Sequence, residues 1–176
     1  MIKLFFGASA AGKDTLLKQE VEHGVKPIVT CTTRPMRTGE VNGKDYIFLK
    51  KDTFLAIKNA GGFFETRKYN TLVRNVPDSW YYGSMYIKDA ERHNYAAVVD
   101  IAGVKAYIDA YGVENVEPIL VYVPNDIREK RAKLRGSFDQ SEWNRRLEDD
   151  KVRFSEAAIK ELEESTGIKV KRVNNY

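Results

Sequence analysis

Nine residues near the start of the sequence, Gly7-Ala8-Ser9-Ala10-Ala11-Gly12-Lys13-Asp14-Thr15, set two glycines five apart with a lysine directly after the second. Glycines at those places let backbone N–H groups turn inward around phosphate oxygens, the helix that follows adds the positive end of its dipole, and Lys13 adds a point charge. The bland alternative is a plain strand-to-helix turn. The setting favours phosphate, because the run leaves an apolar strand and opens a helical pattern. Asp14 stands where Ser or Thr usually offers a hydroxyl to magnesium, and the hydroxyl residue, Thr15, comes one place later. Two readings of Asp14 stay open. One is an acid that complements the dipole in the first helical turn, worth about 0.3–1 kcal/mol. The other is a direct or water-mediated magnesium ligand, shared with Thr15.

A second group of residues could handle a second phosphate. Arg34 and Arg37 lie three apart with Pro35 between them, which disfavours helix at Arg34 and displays both from a loop. Guanidinium forks match phosphate oxygens, and the Tyr46 hydroxyl could assist. A solvated loop would have the same composition. Further on, Arg128, Arg131 and Arg135 fall at i, i+3 and i+7 of one expected helix, and Arg146 follows after a loop over 136–140. By spacing alone that is a solvated helix face. Lys130 and Lys133 read as surface charges.

Elements must hold these groups in place. Ile2–Phe6 is an apolar run that stops at Gly7, as a buried parallel strand would. A helix is expected from Lys13 to about His23, with Leu16, Leu17 and the Glu20–Val21 step on its apolar stripe and Gly24 as its stop. Residues 96–101 and 118–123 read as further buried strands, so strand and helix alternate in an α/β core. Residues 30 to about 89 look different. Alternating polar and aromatic residues and the turn signals Asn42-Gly43, Gly61-Gly62 and Pro77-Asp78 suggest an inserted, mostly β subdomain. The last third reads as helix over 125–134, one long helix over 141–165 beginning at Ser141, and a strand over 168–173.

Composition excludes several classes. With 176 residues and 43% hydrophobic residues, the chain can bury a core without staples, and 12 glycines and 5 prolines are too few for a disordered or collagen-like chain. The lone Cys31 makes no internal disulfide, so a reducing, cytoplasmic setting is expected. No apolar stretch approaches the roughly 20 residues of a membrane span. Ala8-Ser9-Ala10 mimics a signal cleavage site, but too short an apolar run precedes it, and the sequence reads as mature. A net charge of +4 suits a polyanionic small molecule and is too mild for a nucleic-acid coat, so neither membrane nor nucleic acid is expected as partner. Nothing in the pattern favours a monomer over a homodimer.

The run from Thr32 to Phe48, TTRPMRTGEVNGKDYIF, resembles the monophosphate-binding signature of guanylate kinases nearly position by position. The resemblance continues through Gly62-Phe63-Phe64-Glu65, Tyr81-Tyr82-Gly83-Ser84, Val99-Asp100-Ile101, arginines 131, 135 and 146, and Val173-Asn174. It implies an α/β fold: a P-loop three-layer core with a parallel sheet, an inserted NMP-binding subdomain and a helical lid, with core 1–29, 91–125 and 147–176, subdomain 30–90 and lid 126–146. It implies transfer of a phosphoryl group from ATP to GMP or dGMP, with Mg2+. ATP would be held by Gly7, Ala8, Ser9, Ala10, Ala11, Gly12, Lys13, Asp14 and Thr15 and by Asn174. Guanine would lie against Thr30, Glu65 and Ser84, and the GMP phosphate against Arg34, Arg37, Tyr46 and Tyr82. Lys13, Arg131, Arg135 and Arg146 would serve the transferring group, with Arg145 a neighbouring substitute, and Asp100 the hydrated magnesium. Chemistry supports the guanine assignment: its N1–H and exocyclic amine are adjacent donors, and a carboxylate accepts both.

The chain departs from the family pattern at Asp14, at Ala102, where the family carries a second acid near Asp100, and over 66–81, which is longer than usual. Two alternatives stay in view, the first of them because of Ala102 and the longer segment. One is a related kinase acting on another deoxynucleotide or a ribose bisphosphate. The other is a catalytically silent, peptide-binding relative, which the retained Gly12, Lys13 and lid arginines disfavour.

Overall fold

In the computed structural model, which describes residues 1–73, 76–134 and 138–176, the apolar run at the start is strand β1 (Ile2–Phe6), and a loop leads from it into α1 (Lys13–Glu22). Along the chain follow β2 (Lys26–Pro27), β3 (Cys31–Thr32), β4 (Ile47–Phe48), α2 (Lys51–Asn59), β5 (Phe63–Val73), β6 (Val76–Met85) and β7 (Tyr95–Val98). Then come α3 (Ile101–Tyr111), β8 (Val116–Tyr122), α4 (Asn125–Lys133), α5 (Gln140–Arg153), α6 (Glu156–Thr166) and β9 (Lys171–Asn174). The chain divides into two compact units, Met1–Pro27 with Ala90–Tyr176, and Ile28–Asp89.

The first unit is built on a five-stranded sheet of order β2-β7-β1-β8-β9, every pairing parallel. A parallel sheet buries both faces, so its strands must be apolar throughout. Phe5 clusters with Ala96, Ile119 and Val121, and Ala11, Leu16, Leu17 and Ile127 pack on that cluster. On the alternate pleat Ile2, Leu4 and Phe6 are buried too, and the Phe6 ring meets Phe154. With Val104 and Tyr107 of α3 and Ile159 and Leu162 of α6 also buried, helices and sheet form the expected P-loop α/β core. No helix among the described residues is long and apolar enough to cross a membrane.

Of the boundaries that differ from the sequence expectation, three do so through a cap, while the last strand, expected over 168–173, runs over Lys171–Asn174 and the one expected over 118–123 runs over Val116–Tyr122. The strand expected over 96–101 stops at Val98, because the Asp100 carboxylate accepts the Gly103 N–H at 2.9 Å and starts α3 at Ile101. Ala102 is therefore helical. The long helix expected from Ser141 begins one residue earlier, after Asp139, whose side chain accepts from the Glu142 N–H. It also breaks in two, with Ser155 capping α6 by accepting from the Ala158 N–H at 3.2 Å. A serine inside a helical pattern competes for backbone donors, and here it wins.

The second unit carries a four-stranded sheet of order β4-β3-β6-β5, with β3 and β4 parallel and the other pairings antiparallel. It is not as purely β as its pattern suggests, since α2 covers it. Phe54 of α2 is fully buried, stacked on Phe63 at 4.5 Å and tilted against Tyr81. That one anchor supplies what a nine-residue helix lacks in intrinsic stability. Pro77-Asp78, expected as a turn, lies within β6, opposite Leu72 and Thr71 of β5. The described residues of the lengthened 66–81 segment thus lie in two paired antiparallel strands. Burial pushes the Cys31 thiol up from its ordinary value, so it packs as a small apolar group.

Candidate active site

The loop between β1 and α1 is shaped by close approaches. Gly7 has φ 138°, and a Cβ there would lie 2.6 Å from the Val121 carbonyl oxygen; Gly12 has φ 84°, and a Cβ there would lie 2.4 Å from Asn175 Nδ2. Backbone blocks a side chain at Gly7, and at Gly12 one would be strained by the positive φ and would displace the Asn175 amide. Ala10 takes the left-handed region at φ 60° without being glycine, a conformation that costs about 1–2 kcal/mol. Neighbours hold the loop in place. Asn175 Nδ2 donates to the Ala11 carbonyl at 2.9 Å, and Arg131 donates to that carbonyl and, at 2.7 Å, to the Asn175 carbonyl. The Ser9 N–H goes to Asp150 Oδ2 at 2.9 Å, and the Ser9 carbonyl accepts from Arg128 at 3.0 Å.

Lys13 curls back over this loop, its Nζ donating to the Gly7 and Ala8 carbonyls at 2.8 Å each. It is the first residue of α1, at the end of the helix whose opening N–H groups lack i−4 acceptors. Asp14 and Thr15 are exposed in that turn. They are hard oxygen donors of the type magnesium takes while keeping most of its water and phosphate ligands. Among the described residues no group of three or more His, Cys, Asp or Glu could hold a metal alone.

The arginines differ in their surroundings. Arg131 is anchored as above, whereas Arg146 is exposed and shares Glu142 with Arg145. Hydrogen bonds from Arg145 and Arg146 push the Glu142 carboxyl down to about 2. Arg135 lies outside the described residues. Asp100 is half-buried as the cap of α3, and Asn174, the end of β9, is exposed, its neighbour Asn175 being the one that reaches the loop.

In the second unit Arg34 is buried, 5% exposed, which is rare for arginine. Its fork meets the two Glu40 oxygens at 2.6 and 3.1 Å, and its planar face lies over Tyr46 at 5.4 Å and Phe48 at 5.7 Å. The hydrogen bonds that Arg34 donates to Glu40 raise the guanidinium above its ordinary value, and Arg34 and the Arg37 N–H together hold the Glu40 carboxyl low. Arg37 itself is exposed, and Thr30 is half-buried, its carbonyl accepting from Ile47. The Tyr46 ring meets Tyr82 edge-on. Two residues on from Tyr82, on the same pleat, Ser84 pairs across the strands with Glu65 and donates to its Oε2 at 3.2 Å. Arg34, Tyr46, Tyr82, Ser84 and Glu65 are thereby brought into one continuous row. Arg67 closes it, paired to the Glu65 carboxylate and opposite Tyr82 in register.

The family model described as Guanylate kinase matches residues 3–164. The chain belongs to the guanylate kinase family. A guanylate kinase from Bifidobacterium longum is 32% identical over 159 residues, covering 85% of this chain and 77% of its own length. One from Lactiplantibacillus plantarum is 33% identical over 157 residues, covering 84% and 70%. A crystal structure of guanylate kinase from Anaplasma phagocytophilum superposes with a TM-score of 0.54 at 19% identity, covering 95% of this chain and 82% of that one, a likeness of fold.

Several residues of this guanylate kinase family member escaped the sequence reading. Arg128 was expected on a solvated face and is instead 4% exposed, ion-paired with Asp150. No local signal marks that pair, because its members lie 22 residues apart. Glu40 could have been suspected from its place between two arginines and the Asn42-Gly43 turn. Arg67 could have been found from strand alternation with Glu65.

Proposed function

We propose that the chain transfers the γ-phosphoryl group of ATP to GMP, or to dGMP, which presents the same base, giving ADP and GDP or dGDP. The row from Arg34 to Glu65 is the observation that carries the acceptor. Glu65 offers two lone-pair oxygens to the N1–H and amine of guanine, and the Ser84 hydroxyl can turn to O6, with Thr30 beside it in the same assignment. Arg34, whose orientation Glu40 fixes, would take the acceptor phosphate with Arg37 and the hydroxyls of Tyr46 and Tyr82.

An oxygen of the acceptor phosphate attacks the γ phosphorus, and the bond to the β–γ bridging oxygen breaks toward ADP. The attacking oxygen is already anionic, so alignment and charge are the protein's contribution. Lys13 leaves the Gly7 and Ala8 carbonyls for the donor phosphates, which lie in the N–H groups of the Gly7–Thr15 loop. Arg131, Arg135 and Arg146 serve the transferring group, and Arg145 can release Arg146 by taking Glu142 alone. Asn174, at the end of β9, would contribute to the ATP side of the site. Mg2+ would be held by Asp14 and Thr15, with Asp100 orienting its water, and would supply charge neutralisation to the donor phosphates.

A coupled assay of ADP release against GMP, dGMP, AMP and UMP tests the assignment. Turnover with GMP and dGMP and rejection of AMP and UMP is expected. Equal use of AMP and GMP would overturn it.

A further inference from the structure

Arg128 and Asp150 form the most deeply buried ion pair among the described residues, with side chains 5% and 10% exposed. Arg128 NH1 donates to Asp150 Oδ2 at 2.7 Å, Arg128 NH2 donates to Asn125 Oδ1 at 2.7 Å, and the guanidinium lies over the Trp143 ring at 5.7 Å. Stability alone does not explain such a pair, because an apolar pair of similar volume is often as stable or more so. What the pair does is grip one residue of the phosphate loop from both sides. The carboxylate takes the Ser9 N–H and the guanidinium takes the Ser9 carbonyl. Immediately after Ser9 the chain enters the unfavourable left-handed conformation at Ala10, so the loop needs an external hold at this point. The pairing also matters for charge. A lone carboxylate this close to a phosphate site would repel the ligand, and Arg128 cancels it.

We infer that Arg128 and Asp150 are positioning residues for ATP, a buried clamp that fixes the Ser9 peptide groups and with them the direction of the N–H groups that follow. The clamp rests on the reading of the loop as the ATP phosphate site. It acts from α4 and α5, the helices on either side of the segment that carries Arg135, and so ties the loop to the elements bearing Arg131 and Arg146. Neither residue touches the reacting atoms.

The double variant Arg128→Leu with Asp150→Ala removes both charges and leaves an apolar filling. It is expected to fold, with KM for ATP raised roughly 10- to 100-fold by a loop held too loosely and KM for GMP unchanged. A merely structural role would lower the active fraction, and so kcat, and leave both KM values alone; that result, or an equal rise in both KM values, overturns the clamp. Amide exchange in the unmodified protein decides the matter if the variant fails to fold. The Ser9 N–H should be protected before any nucleotide is added, and exchange at the rate of an open loop amide overturns the proposal. Lys13→Ala separates the two layers. Full turnover in that variant would overturn the phosphate reading itself, whereas loss of turnover together with an unprotected Ser9 would overturn the clamp alone.

Discussion

Replacing Glu65 with Gln keeps the shape of the side chain and removes its charge, so it probes the base assignment more sharply than truncation. Glu65 is 14% exposed, with Ser84 on Oε2 and Arg67 as its ionic partner. Guanine would find one acceptor where there were two, and an amine donor facing its own donor. A hydrogen bond to a charged group contributes about 1.5–3 kcal/mol, so losing one and opposing another should cost about 3 kcal/mol or more, roughly 100-fold in kcat/KM. The lost Arg67 pair adds little, since Arg67 is 37% exposed and solvent screens it. Steady-state kinetics with GMP varied at saturating ATP, then ATP varied at saturating GMP, should put the whole loss on the GMP side. In the unmodified protein AMP, which sets a lone pair against the carboxylate, should be disfavoured by roughly 10⁴–10⁵, the discrimination of sites that leave a polar group unpaired. A Glu65→Gln variant within about threefold of normal GMP efficiency would refute the reasoning.

Asp14→Ala should raise the magnesium concentration for half-maximal rate if the carboxylate is a metal ligand; an unchanged midpoint in a magnesium titration leaves the helix-dipole role. Phe54→Ala should destabilise the unit that carries Glu65 by about 3–5 kcal/mol, the usual cost of emptying a buried aromatic site, read by urea denaturation with fluorescence, and a loss under about 1 kcal/mol would contradict the anchoring of α2. Glu142, pushed down to about 2 by Arg145 and Arg146, stabilises the fold above the ordinary carboxylate value near 4.5, and that contribution fades as pH falls from there through about 2. The difference in melting temperature between the unmodified protein and Glu142→Gln should therefore shrink between pH 5 and pH 3, and a pH-independent difference would rule out the ion pair as its source.

Signals carried by a few neighbouring residues were legible in the sequence. The Gly7–Thr15 loop, the strand before it and the helix after it follow from spacing alone, because each depends on local backbone geometry. The parallel core was legible in the continuous apolar character of Ile2–Phe6 and of residues 118–123. Caps were misread at Asp100, Asp139 and Ser155, where one side-chain hydrogen bond moves a boundary and pattern carries no trace of which acceptor wins. Helix α2 was hidden because a single residue, Phe54, holds it by burial. Least legible were side chains whose meaning comes from distant partners. Arg128 looks like any helix-surface arginine until Asp150 and Ser9 are beside it, and Arg34 looks like a loop cation until it lies against the Tyr46 and Phe48 rings.

The two outermost strands of the five-stranded sheet, β2 and β9, have a consequence for the protein in a crowded cell. A sheet edge is a template on which another chain can add a strand, and aggregation often begins there. One margin here is two residues long and ends in Pro27, which has no N–H to offer. The other carries Lys171 and Arg172, ion-paired with Glu117 and Glu156. Any strand arriving at either side meets a proline or a row of fixed charges, so the sheet is terminated at both margins and its growth stops at five.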